Sequence, residues 1–199
     1  MSLPGRIARA GAADLDAAAQ TLAAAFESYA WTRWSIPADD YPVRLERLQR
    51  LYLGHALEHG IVLVGGIGAG NVDGVIAVLS PSAPAPSDEL QAQAAELHGA
   101  RLAVVAAADT PPLPDGVWNL ATLGVHPEAQ GHGLGAALIG AALAEVDASR
   151  VTADTALETS DDRNVRLYER AGFTVTATTQ IQDGPTVYTM LREAVSVPQ

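Results

Sequence analysis

The chain has 199 residues, no cysteine, and a net charge of -11 from 12 basic and 23 acidic side chains; every basic residue is arginine, so lysine is absent too. Without cysteine there is no disulfide framework, thiolate zinc site or Cys nucleophile, and without lysine no Walker A loop, Schiff-base enzyme or lysine base. The acidic surplus argues against nucleic acid or an anionic membrane surface as partner, and the length suits one globular domain over 1–199.

Met1-Ser2-Leu3 reads as a cloning remnant, and Met1 to Arg6 lacks the apolar segment of a secretory signal. Ile7 to Ala10 predicts a short strand. Asp14 opens an amphipathic helix with Leu15, Ala18, Leu22, Ala25 and Phe26 on one face. The stretch Tyr29 to Pro37 reads as turn-rich and aromatic. A second helix is expected from about Pro42 to His59, with Leu45, Leu48, Leu51, Tyr52 and Leu57 inward and Gly60 as its stop. Ile61 to Val64 and Val72 to Leu79 predict strands joined by the glycine-rich Gly65 to Gly70. The apolar run Ile61 to Gly70 is broken by four glycines and falls short of a membrane span, so a cytoplasmic protein is expected. Ser87 caps a helix through His98, and Arg101 to Ala108 extends it as far as the breaker Pro111 to Pro114.

The second half predicts a strand over Val117 to Val125, a helix over Gly135 to Val146, a strand over Thr155 to Thr159 and a helix over Asn164 to Arg170. A hairpin of Phe173 to Gln180 and Thr186 to Leu191 turns at Asp183-Gly184-Pro185. Strands interleaved with helices and closed by a hairpin indicate an α/β sheet of mixed direction.

The segment Leu120 to Leu138 carries the most chemistry. An apolar strand ends at Val125, a polar turn with Pro127 follows, and Gly131, Gly133 and Gly135 lead into an apolar helix. Such glycines let successive N–H groups face a phosphate at a helix N-terminus, with no lysine needed. A ligand-free helix entry is the plain alternative. A dinucleotide fingerprint fits poorly, since His126 to Gln130 intervene after the strand and Ala136 stands where its third glycine belongs. The third reading is the pyrophosphate turn of an acyl-CoA transferase.

Val125-x-Pro127-x-x-Gln130-x-x-Gly133-x-Gly135 resembles motif A of the GNAT superfamily of acyl-CoA-dependent N-acetyltransferases. Leu157-Glu158-Thr159-Ser160, Asn164, and Leu167 to Phe173 resemble its motif B, in the right order and separation. Thr21 to Phe26 with Tyr29 and Thr32-Arg33, Leu120 to Thr122 and Gly172 to Ala177 extend the likeness to the puromycin N-acetyltransferase branch; residues 30 to 60 match it least. The resemblance implies a GNAT fold, α/β (α+β), with a mixed, mostly antiparallel sheet flanked by helices. Acceptor-side helices would lie at about 14–60 and the CoA-binding half at about 117–173.

It also implies direct acetyl transfer from acetyl-CoA to an amine, without a metal. A small-molecule amine is the expected acceptor, an aminonucleoside antibiotic such as puromycin among them; a protein or peptide amine, or a non-catalytic acyl-CoA sensor, are the rivals. A homodimer stays open. Leu123, Gly124 and Val125 would face the pantetheine from a splayed strand, and Gln130, Gly131, His132, Gly133, Leu134, Gly135 and Ala136 would cradle the pyrophosphate. Tyr168 is the candidate acid for the departing thiolate, or an inward-facing aromatic. Glu158 is the candidate base, or a solvent-facing strand residue. Asn164 either meets the pantetheine or caps its helix.

Tyr29, Trp31 and Trp34, with Trp118, are candidate acceptor-binding residues, or aromatics that pin a loop to the core. His55-Ala56-Leu57-Glu58-His59 matches an inverted zinc-protease motif by spacing, but nothing supplies a third ligand.

Overall fold

The computed structural model describes residues 6–67 and 70–195. The remnant read at Met1-Ser2-Leu3 lies outside the described residues, as does part of the Gly65 to Gly70 connection. The described strands are β1 (Ala8–Arg9), β2 (Gly60–Gly65), β3 (Gly74–Leu79), β4 (Trp118–Val125), β5 (Thr155–Thr159), β6 (Thr174–Gln180) and β7 (Thr186–Arg192). They form one sheet in the order β1-β2-β3-β4-β5-β7-β6. The helices are α1 (Leu15–Phe26), α2 (Ala30–Ser35), α3 (Tyr41–His59), α4 (Asp88–His98), α5 (Leu102–Ala106), α6 (Leu134–Asp147) and α7 (Asp162–Glu169).

Short connections between β2 and β3, and between β6 and β7, give antiparallel pairs, whereas the crossover through α6 makes β4 and β5 parallel. The sheet is therefore mixed and mostly antiparallel, with helices on both faces, as expected. Central β3 is apolar at every position because both its faces are covered. Val75 and Ala77 pack with Ala18, Leu22, Leu53 and Ala56 of α1 and α3. Ile76 and Val78 pack with Leu134, Leu138, Ile139 and Ala142 of α6, together with Leu157 and Met190. Truncating a fully buried leucine there, such as Leu138→Ala, costs about 2–5 kcal/mol.

Several local expectations shift. The Tyr29 to Pro37 stretch folds as a short helix, α2, held from outside itself. The Thr32 hydroxyl donates to the Phe26 carbonyl at 2.8 Å, and Trp34 packs on Ile181 and Val187. Tertiary packing overrides the weak helix propensity of its aromatic residues. Gly60 does not end α3 in a left-handed cap. It begins β2 with extended backbone (φ -160) and takes glycine because a side chain would collide with the Val78 carbonyl. Tyr52 lies outward on α3 and is 44% exposed, while Leu53 and Ala56 take the inner face. Beyond α4 the chain tightens through a 3-10 turn at Gly99–Arg101 before α5, instead of continuing one helix. Among the described residues no helix is long and apolar enough to cross a membrane.

Candidate functional site

The site begins where the sheet comes apart. β4 and β5 pair only at Trp118 with Thr155 and Asn119 with Ala156, and then diverge. On its other edge β4 stays paired with β3 through to Val125, with a bulge opposite Ala77 and Val78. The His126 N–H donates to the Asp73 carbonyl across that edge at 2.8 Å. Hydrogen-bonding direction alternates along an antiparallel strand, so the main-chain groups of Leu123 and Val125 point the other way, into the gap left by β5. The Val125 carbonyl accepts the Gln130 side chain at 3.0 Å. The amides of Leu123 and Val125 remain available to a ligand.

Immediately beyond β4 the chain makes the glycine turn. Gly131 (φ 80) and Gly133 (φ 81) are left-handed, and a Cβ at either would meet nothing within 4 Å, so the backbone is approachable from outside. Gly133 precedes the first turn of α6, and the first helical bond runs from the Ala137 N–H to the Gly133 carbonyl at 3.0 Å. The N–H groups of Leu134, Gly135 and Ala136 therefore project from a helix N-terminus, where the dipole favours an anion. His132 is exposed, with its ring Nδ1 3.4 Å from the Ala129 carbonyl. The Leu134 side chain points into the core, so only its amide is offered to the turn. Gly124 does not face this ligand side: a Cβ there would lie 2.6 Å from Leu22 Cδ2 and 3.0 Å from Ala25 Cβ. It is glycine so that α1 can lie close on β4. These free amides, the glycine cradle and the open strand edge suit a phosphate-bearing ligand with an extended, hydrogen-bonding arm.

The opened edge borders a cavity of about 770 Å³ whose wall includes Leu123, Glu158, Asn164 and Tyr168. Glu158 thus faces the cavity. Its surface is reachable by solvent, yet the surrounding walls raise its pKa by stripping water from the carboxylate, with the Thr110 side chain opposing the shift. Tyr168 is buried edge-on against Phe173, centroids 5.8 Å apart. Loss of water pushes its phenol pKa up, and nearby Tyr29 adds to the shift. Asn164 is not the helix cap: Asp161 fills that role, its carboxylate accepting the Arg163 N–H at 2.8 Å. Asn164 is left with its side chain at the cavity.

Tyr29 and Trp31 line the cavity from the α2 side. The Tyr29 hydroxyl accepts the Ser160 N–H at 2.7 Å and lies 3.1 Å from Thr159 Oγ1, tying the start of α2 to the end of β5. Trp34 and Trp118 do not line this cavity. Trp34 lies tilted behind Trp31, ring centroids 5.2 Å apart, and packs on the β6–β7 hairpin. Trp118 is buried in the core under α6, its indole N–H reaching the Val151 carbonyl at 3.4 Å. Gln49, Tyr52 and His55 of α3 and Asp115 of the loop before β4 are wall residues that the sequence did not assign to this site. Outward Tyr52, set between buried Leu48 and Leu53, is the one pattern signal that could have found them.

The zinc-protease spacing brings His55 and His59 rings to 4.7 Å as a tilted pair, with His59 3.7 Å from Glu58. Among the described residues no group of three or more acidic or imidazole side chains is arranged to hold a metal.

Comparison with known proteins gives the same answer as the geometry. The acetyltransferase (GNAT) domain family matches residues 85–194, more than half of the chain. A histone acetyltransferase HPA2 and related acetyltransferase from Corynebacterium glutamicum superposes with TM-score 0.75 at 24% identity, covering 99% of both chains. A GNAT family acetyltransferase from Brucella melitensis, in complex with acetyl-CoA, gives 0.55 at 20% identity over 98% of this chain and 91% of that one. The ribosomal-protein-S18-alanine N-acetyltransferase from Escherichia coli gives 0.57 at 15% identity over 98% and 96%. The matched family and the strand-to-helix turn inside its span agree, and the chain belongs to the GNAT acetyltransferases, enzymes that take their acyl group from acetyl-CoA.

Proposed function

We propose that the chain transfers the acetyl group of acetyl-CoA directly to a primary amine of a small molecule. The observation that carries this reading is the parting of β4 and β5, with Leu123, Glu158 and Tyr168 on the wall of the one cavity it opens. The amides from Gly131 to Ala136 and the His132 ring would hold the pyrophosphate, and the free edge of β4 the pantetheine. Bound acetyl-CoA supplies an acyl group activated as a thioester.

The Leu123 N–H donates a hydrogen bond where negative charge develops on the acyl oxygen, a fixed dipole that needs no reorganisation. Glu158, directly or through one water, takes the proton from the acceptor ammonium and frees its lone pair. A raised pKa suits that task, because a stronger base holds the proton better once removed. Tyr168 stays protonated for the same burial reason. The departing sulfur is a weaker base than a buried phenolate, since an ordinary thiol has a pKa of about 8.5. As the C–S bond breaks, the extra proton on the newly acylated nitrogen passes to the departing sulfur, which Tyr168 steadies by hydrogen bonding with little outright loss of its own proton. Asn164 lies beside it, available to the pantetheine amide.

An aminonucleoside such as puromycin is the first acceptor to test, and its acetylation would make the chain a cytoplasmic resistance enzyme. Acetyl-CoA is supplied with a panel of small amines, puromycin included, and thiol release is followed. Release that depends on one of the amines supports the reading. Binding of acetyl-CoA with no release for any amine overturns it in favour of a sensor.

A further inference from the structure

The cavity wall offers aromatic faces, neutral polar groups and carboxyl groups, but no guanidinium. All the arginines fall within the described residues and none lines the cavity, while lysine is absent from the chain. The acidic wall residues are Glu158 and Asp115. Three arginines on neighbouring elements are committed elsewhere. Arg33 lies over the Tyr41 ring at 3.9 Å, Arg101 donates to the Trp34 carbonyl at 2.6 Å, and Arg44 pairs with Asp39 at 2.7 Å. Of the wall histidines, His98 spends Nδ1 on the Ser35 carbonyl at 2.8 Å. Trp31 and Tyr52 contribute flat apolar surface on the α2–α3 side.

We propose that this cavity selects an amine whose remaining body is uncharged and flat, and rejects acceptors that carry a carboxylate or phosphate near the amine. The inference rests on the acetyl-transfer reading above and names the acceptor class of that same site. A carboxylate entering here would shed water, find no guanidinium or ammonium group on the wall to pair with, and meet Glu158 and Asp115 of its own sign. An ammonium meets the opposite field and loses little. Selection of this kind comes from the penalty on the wrong ligand as much as from attraction to the right one. Free amino acids and sugar phosphates fall on the rejected side.

Phenylalaninamide and phenylalanine share an amine and a ring and differ at the carboxylate. With kcat/KM referred to the free-amine form of each, the amide should be preferred by about tenfold or more. Gln49→Arg, which sets a guanidinium on the wall from α3, should shrink that preference by roughly threefold. Equal or better turnover of phenylalanine by the unaltered protein overturns the inference while leaving acetyl transfer standing. So does a preference unmoved in a Gln49→Arg protein that folds by circular dichroism. Calorimetry of both ligands with CoA present reads the preference without turnover. Tighter binding of the amide supports it even where no thiol is released. Tighter binding of the acid, or measurable binding of neither, overturns it.

Discussion

The two halves of the cleft offer ligands different kinds of group. On the α6 side the groups offered are main-chain amides, fixed by a strand end, two left-handed glycines and a helix N-terminus within one short stretch of chain. On the α2–α3 side the groups are side chains from several separate segments, Trp31, Tyr52 and Asp115 among them, brought together by tertiary packing. A backbone site tolerates almost any side chain that leaves its glycines alone, so its ligand is shared widely. A side-chain site is rewritten by single substitutions, and on the proposed reading acceptor choice resides there.

The sharpest way to break that contrast is at Gly133. Gly133→Asp forces a side chain into a left-handed position and sets a carboxylate against the phosphates. Acetyl-CoA affinity should fall roughly a hundredfold or more by calorimetry, while the cost to the fold, where a Cβ meets nothing within 4 Å, is the left-handed strain of about 1–2 kcal/mol. Unchanged affinity in the folded variant would refute the turn as the phosphate site.

Glu158→Gln comes next, with kcat/KM down by about a hundredfold at neutral pH. Since the pKa of Glu158 is raised, the acid limb of the unaltered profile should lie above the ordinary carboxylate range, activity rising with pH as the proton leaves. The same shift has a cost in stability. The folded chain holds a proton that the unfolded chain has already released. The stabilisation is therefore present below the ordinary glutamate value and lost as pH rises through the folded one. Glu158→Gln should accordingly raise Tm slightly at neutral pH while lowering turnover. A lowered Tm would count against that sign.

Tyr168→Phe removes one hydroxyl and should lower kcat by about tenfold with acetyl-CoA affinity held within about twofold. A parallel loss of affinity would make Tyr168 a binding group instead. The smallest effect tests the other half of the cleft. Trp31→Ala should raise the acceptor KM by about fivefold and leave acetyl-CoA binding untouched. If both constants move together, the two halves are not separable in the way described.

How much of this the sequence disclosed follows from the same contrast. The glycine turn, the run of β5 through Glu158 and the position of Tyr168 are local in the chain; the elements were readable from spacing, and the parts given to Glu158 and Tyr168 from the resemblance to motif B. Gly60 stops α3 as its place in the sequence suggests, but the reason for glycine there, as at Gly124, was not legible, because a glycine required for close approach looks the same in sequence as one required by a turn. Only the packing of Leu22 above Gly124, and of the Val78 carbonyl against Gly60, tells them apart. Trp34 and Trp118 carry the same ring as Trp31, and which of the three reaches the cavity is set by the β6–β7 hairpin and by α6, elements far off in sequence. Helix α2 was invisible for a related reason, since Thr32 and Trp34 find their partners outside it.

The gap between β4 and β5 means that the sheet is held across its middle by only two residue pairs. A ligand lying along Leu123 and Val125 stands in for the missing stretch of strand. The cosubstrate then serves as a structural member as well as a reagent. The amides of Leu123 and Val125 should exchange with solvent deuterium quickly in the free protein and slowly once the gap is filled. The whole molecule should also gain about 2.7 kcal/mol of stability when acetyl-CoA is present at a hundred times its Kd. The enzyme is mechanically complete only while it is loaded.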